Sequence, residues 1–125
     1  MKPIFTDAAP KPIGPYSQAM LAGNLLYCSG QLALDPQTGE FAGGNIQEQT
    51  ELSIRNIEAV LRAAGADFNN VVKTTCFLTT MEHFADFNTV YAQYFTSNPA
   101  RSCVAVKELP KGALIEIEVI AALDV

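Results

Sequence analysis

Residues 114–123 constrain this chain more than any other stretch. Ile115, Ile117, Val119, Ala121 and Leu123 recur at every second position, with Glu116, Glu118 and Ile120 between them. Successive side chains of an extended strand point to opposite faces, so the alternation reads as a strand and not a helix. One face is apolar and seeks a core; the other carries two carboxylates two residues apart. Such a strand needs partners in a sheet and an apolar layer over its buried face.

The rest of the chain supplies both. Residues 25–29 read as a strand that pairs with residues 17–21 across Gly23-Asn24, because glycine gives the positive φ of a two-residue hairpin. Residues 30–34 continue from it, and residues 35–39 have the composition of a turn. The β-branched run 70–79 suits a central strand. Residues 102–106 read as another strand, and 109–112 as a turn. A helix is predicted from Asn45, which can cap it with Glu48 reaching back. Its stripe is Leu52, Ile57, Val60, Leu61 and Ala64, and Gly65 stops it. Glu51/Arg55 and Glu58/Arg62 lie one turn apart with the acid first, the favourable order. A second helix should begin near Met81 or Phe84 and end at Phe95. Met81, Phe84, Phe87, Tyr91 and Phe95 share one face, Asn88 lies close to it, and Pro99 follows.

The expected order is β-β-α-β-α-β-β, an α+β fold in one domain spanning residues 1–125, with both helices on one face of a mixed sheet. Two helices cover one side only, yet the strands hold more apolar residues than one side can take. A second subunit is therefore expected on the open face.

Composition excludes several alternatives. With 49% hydrophobic and 17% charged residues the chain is not disordered. No window reaches the ~18 apolar residues of a membrane span, and the amino terminus lacks a secretory signal's apolar stretch. A soluble, intracellular, cytoplasmic protein is expected. Net charge is -5, with thirteen acidic residues against eight scattered basic ones, so nucleic acid is an improbable partner. One histidine, His83, and three dispersed cysteines offer neither a disulfide framework nor a metal site, and no cofactor is expected. The glycines of residues 39–44 lack phosphate-loop spacing.

Few residues are left to carry chemistry. Arg101 lies at a strand entry, apart from the helical ion pairs that occupy Arg55 and Arg62. It is either a strand-end arginine with its stem on apolar surface or a planar fork for a carboxylate. Glu116 and Glu118 are either solvated or, in one case, enclosed at a subunit boundary with a raised pKa. Cys103 has no base beside it in sequence and reads as an inert thiol. Gly14-Pro15-Tyr16-Ser17 is a rigid turn that delivers a tyrosine to a strand.

Taken together, the residues resemble the RidA/YjgF/YER057c/UK114 family of reactive-intermediate deaminases. The likeness runs nearly end to end. It rests on Ile13-Gly14-Pro15-Tyr16-Ser17-Gln18-Ala19, Cys28-Ser29-Gly30-Gln31, Gly65, Val72-Lys73-Thr74-Thr75, Pro99-Ala100-Arg101-Ser102-Cys103-Val104, Leu109-Pro110 and Ile115-Glu116-Ile117-Glu118. The resemblance implies a chorismate-mutase-like fold, a homotrimer with sites between subunits, and hydrolysis of 2-imino acids such as 2-iminobutanoate and 2-iminopropanoate. It implies Arg101 and Glu116 as catalytic residues, Arg101 gripping the carboxylate and Glu116 handling water. Tyr16, Ser29, Gly30, Asn88 and Cys103 would bind substrate beside Arg101. Two other activities stay open: a ligand-sensing regulatory trimer without turnover, and an endoribonuclease-type translation inhibitor. In many relatives the segment before the arginine motif is longer, with an aromatic residue ahead of the proline. Here Tyr94-Phe95-Thr96-Ser97-Asn98-Pro99 is short and polar, and a different side-chain preference is expected from it.

Overall fold

In the computed structural model, which describes residues 1–123, the chain forms β1 (Lys2–Ile4), β2 (Ala19–Ala22), β3 (Leu25–Gln31), α1 (Ile46–Ala63), β4 (Val71–Leu78), α2 (Phe84–Tyr94), β5 (Ala100–Ala105) and β6 (Ile115–Ala122). The six strands make one mixed sheet in the order β1-β2-β3-β6-β4-β5. Only the β4–β5 pair is parallel, because α2 crosses between them. The hairpin turn is Gly23-Asn24, with Ala22 paired to Leu25 and Gly23 at φ 62.

The alternation of the carboxy-terminal segment holds. Ile115, Ile117, Val119 and Ala121 are buried beneath the helices, while Glu116, Glu118 and Ile120 face away. Asn45 and Glu48 form a reciprocal capping box at α1, each side chain accepting from the other's backbone N–H. Gly65 follows the helix at φ 79, a left-handed position that favours glycine. Ile54, Ile57, Val60 and Leu61 are fully buried, each stabilising the fold by ~1.5–3 kcal/mol relative to exposure. On α2, Phe87 and Tyr91 are buried and Phe95 closes the stripe. Both helices lie on the same face. The other face carries exposed Tyr27 and Val104 with half-buried Met20, Phe77 and Ile120, the apolar surplus expected there.

Several expectations need correction. The order is β-β-β-α-β-α-β-β, since Lys2–Ile4 pairs with β2. Three residues with a central proline give no strand signal, and an edge position is where proline fits a sheet. Residues 32–34 leave the sheet after an irregularity between Cys28 and Gln31. Side chains of α1 take their carbonyls instead: Asn56 Nδ2 donates to Leu32 O at 3.1 Å and Leu34 O at 2.9 Å, and Ser53 Oγ donates to Gln31 O at 2.6 Å. Leu52 lies off the buried face of α1, and Met81 is exposed in a 3-10 turn (Met81–His83) ahead of α2. The arginine strand starts at Ala100, so Arg101 lies within it.

One buried side chain ties down the amino-terminal segment. Gln18 Nε2 donates to Thr6 O at 3.0 Å and Pro10 O at 2.9 Å, and its Oε1 accepts from Thr6 N at 2.7 Å. Residues 6–16 are thereby held over the end of β3, with no sheet partner of their own.

Candidate functional site

The expected site residues fall into two groups, one on each face of the sheet. Arg101 is paired with Thr74 across the parallel β4–β5 ladder, and Thr74 is buried against α2. Laterally paired residues share a face, so Arg101 and Cys103 look toward the helices. Glu116 is paired with Phe77, whose neighbours Cys76 and Leu78 are buried under the helices. Glu116 therefore looks the other way. Within one chain the two groups do not meet.

The Glu116 group surrounds a cavity of about 440 Å³. Tyr16 and Ser29 line it with Gly30 and Glu116, and Leu32 and Leu34 give it an apolar wall. The Gln18 amide holds Pro10 and the Asn56 amide holds the carbonyls of Leu32 and Leu34, all residues that line this cavity. Ser29 Oγ donates to Ser17 O at 2.6 Å and fixes the approach of the tyrosine turn. Gly30 lies directly against the carboxyl group: a Cβ there would stand 2.7 Å from Glu116 Oε2. The absent side chain is what lets Glu116 fold over β3. Burial, and then the neighbouring Glu118, hold the Glu116 carboxyl above its ordinary pKa. A half-buried carboxyl held above its ordinary pKa is suited to taking and returning a proton.

The Arg101 group lies at the sheet's edge. Arg101 Nη1 donates to Asn88 Oδ1 at 2.7 Å, and the guanidinium carbon stands 4.9 Å from the Tyr91 ring centre, 5.4 Å from Phe84 and 5.9 Å from Phe87. Three ion pairs occur among the described residues, all between α1 residues, Arg55 with Glu51 and Glu58 and Arg62 with Glu58. Arg101 has no carboxylate partner there. Its remaining N–H groups are free for an oxyanion. Asn98, in a left-handed conformation at φ 54, and Pro99 line the same recess, so the short polar loop does border the arginine. Cys103 is half-buried two residues along; burial raises its thiol pKa and Arg101 opposes the rise. Cys28 and Cys76 are buried, with thiols pushed up to about 12. Among the described residues no group of His, Cys, Asp and Glu could hold a metal ion, and no helix is long and apolar enough to cross a membrane.

The sequence profile of the endoribonuclease L-PSP family matches residues 6–123. A RutC family protein of Pyrococcus horikoshii is 56% identical over 119 residues, covering 94% of each chain. The chain belongs to the Rid family. This Rid chain is 47% identical to the human 2-iminobutanoate/2-iminopropanoate deaminase over 119 residues, 94% of the chain and 87% of the human protein. It also superimposes on the crystal structure of a Rid family protein, YyfA from Yersinia pestis, with a TM-score of 0.93 and 47% identity, covering 97% and 98% of the two chains.

Two contributors to the candidate site were not apparent as such in the sequence. Tyr91 carries helical spacing and reads as core, although its ring also touches Arg101. Gln18 lies in a stretch that reads as strand, and nothing local marks its amide as the anchor of residues 6–10.

Proposed function

We propose that this protein hydrolyses 2-imino acids, 2-iminobutanoate and 2-iminopropanoate among them, to 2-oxo acids and ammonia, as a cytoplasmic homotrimer. What carries this reading is the combination of a carboxylate-free Arg101 and a half-buried Glu116 in a chain 47% identical to a human protein of that activity. The two groups face opposite ways in one chain, so the reading requires subunits to adjoin edge to face. Arg101 of one subunit then faces the Glu116 cavity of the next. Exposed Tyr27 and Val104, with half-buried Ile120 on the same face, give the subunits a surface to bury. Three free cysteines suit a reducing compartment.

In this mechanism Arg101 holds the substrate carboxylate through two parallel N–H bonds, which sets the plane of the imine. The Glu116 carboxylate takes a proton from water as the water oxygen bonds to C2. Glu116 returns that proton to the imine nitrogen to give a carbinolamine. It then takes the hydroxyl proton as the C2–O bond becomes a carbonyl and the C2–N bond breaks, and delivers it to the departing nitrogen, so that ammonia leaves a 2-oxo acid. An iminium carbon is already electrophilic, so orientation and one acid/base group are sufficient. Imines should be generated from alanine and 2-aminobutanoate by an amino-acid oxidase with semicarbazide as a competing trap. Added protein is expected to lower semicarbazone yield and speed ammonia release. Unchanged trapping at micromolar protein would overturn the reading.

A further inference from the structure

We propose that Tyr91 is a positioning residue for Arg101, its ring together with the Asn88 amide fixing the plane in which the guanidinium meets a carboxylate. The inference rests on the reading of Arg101 as the carboxylate site. A two-point grip works only if the guanidinium plane is set before the substrate arrives, and a solvent-exposed arginine has many rotamers. Here the head is held from two sides. Asn88 Oδ1 accepts one N–H at the edge of the plane, and the Tyr91 ring lies 4.9 Å from Cζ.

The ring is itself fixed from behind. Its hydroxyl shares a 2.7 Å hydrogen bond with Thr74 Oγ1, and its centroid lies 5.4 Å from that of Phe87 and 4.5 Å from that of Phe95. Thr74 is the residue paired with Arg101 across the β4–β5 ladder. The strand that carries the cation and the ring that holds it are thus referenced to one side chain. Because the hydroxyl is engaged in the core, Tyr91 offers the substrate site its ring face.

Tyr91→Phe, Tyr91→Leu, Arg101→Gln and the Tyr91→Leu/Arg101→Gln double variant test this. Measured quantities are kcat and KM for imine hydrolysis and Kd for 2-oxobutanoate, with melting curves to confirm folding. Tyr91→Phe keeps the ring and should hold KM within about twofold of wild type, despite losing the Thr74 bond. Tyr91→Leu should raise KM and Kd by about 3–30-fold, the worth of one cation–ring contact. In the Arg101→Gln background it should add nothing further. A folded Tyr91→Leu protein with unchanged KM, or an equal rise in both backgrounds, overturns the proposal. If Tyr91→Leu does not fold, Tyr91→Met, which fills more of the space while still removing the ring, takes its place under the same criterion. An Arg101→Gln protein with wild-type KM and Kd would instead remove the carboxylate reading on which Tyr91's role depends.

Discussion

Arg101 and Glu116 stand on opposite faces of one sheet, with β4 between their strands. No side-chain rotation brings them together, because a strand's pleat sends Arg101 toward α2 and Glu116 away from it. An activity that uses both residues on one small substrate must take them from different subunits.

Subunits carrying Arg101→Ala and subunits carrying Glu116→Gln should each have little activity alone. Dissociated, mixed in equal amounts and reassembled, they should recover about a quarter of wild-type activity if neighbours associate at random. Mixed oligomers verified by mass spectrometry that stay inactive would place each site within one chain.

Gly30→Ala tests the contact beneath the carboxyl group. The new Cβ would meet Glu116 Oε2 at 2.7 Å and Cδ at 2.8 Å. The obstacle is the end of a flexible side chain, so the carboxyl should swing aside and the melting temperature should barely change. Turnover should fall by about 10²-fold, as expected for a displaced acid/base group. Binding of a 2-oxo acid at Arg101 should persist, and calorimetry can separate the two effects.

Glu116 should leave its mark on both the activity and the stability profile. With its pKa raised above the ordinary 4.5 by burial and by Glu118, kcat/KM should climb as pH passes through that raised value. Glu116→Gln should abolish this limb and slow turnover by ~10²–10⁴. Glu118→Gln should only move the limb to lower pH. For stability the sign is reversed from that of an ion-paired acid. The folded protein holds the proton more tightly than the unfolded chain does. The stabilising contribution is therefore full below pH 4.5 and lost as pH rises through the raised value. Glu116→Gln should melt higher than wild type at pH 7, and the gap should close toward pH 4.

Gln18→Leu should unfasten residues 6–10 from the segment that leads into β2. It removes four hydrogen bonds and leaves Thr6, Ala9 and Pro10 polar groups without their partner, at a cost of ~1–3 kcal/mol. Since Pro10, Ile13 and Tyr16 line the Glu116 cavity, KM should rise along with the fall in stability. Hydrogen exchange confined to residues 5–17 would confirm the route; unchanged protection there would refute it.

Local chemistry explains which parts of this molecule could be read beforehand. The alternation around Glu116, the Asn45–Glu48 cap and the Gly23-Asn24 turn are contained within a few residues, and each appears in the fold as expected. The departures are long-range. Residues 32–34 have strand composition, but Asn56, twenty-two residues beyond Leu34, claims their carbonyls. Lys2–Ile4 becomes a strand only because the outer edge of β2 is free to accept it. The same division runs through the site. Arg101 stood out because it lacked a helical carboxylate partner, and Glu116 was distinguished from Glu118 by the family motif. That the two face apart depends on the β4 and β6 registers, which no local pattern encodes.

The position of β6 bears on how the protein is made. Residues 115–122 come last of the six strands in sequence yet lie third from one edge, between β3 and β4. Without them the sheet falls into two pieces, β1-β2-β3 and β4-β5, which share no strand pairing. While β6 is still inside the ribosome, the emerged chain can form hairpin and helices but has no means of joining these pieces. Assembly of the sheet is thus a late event with high contact order, and it brings in Glu116 at the same step. A nascent chain arrested before residue 115 would present two further open sheet edges, those of β3 and β4, and no acid/base group, a state exposed to aggregation and incapable of turnover.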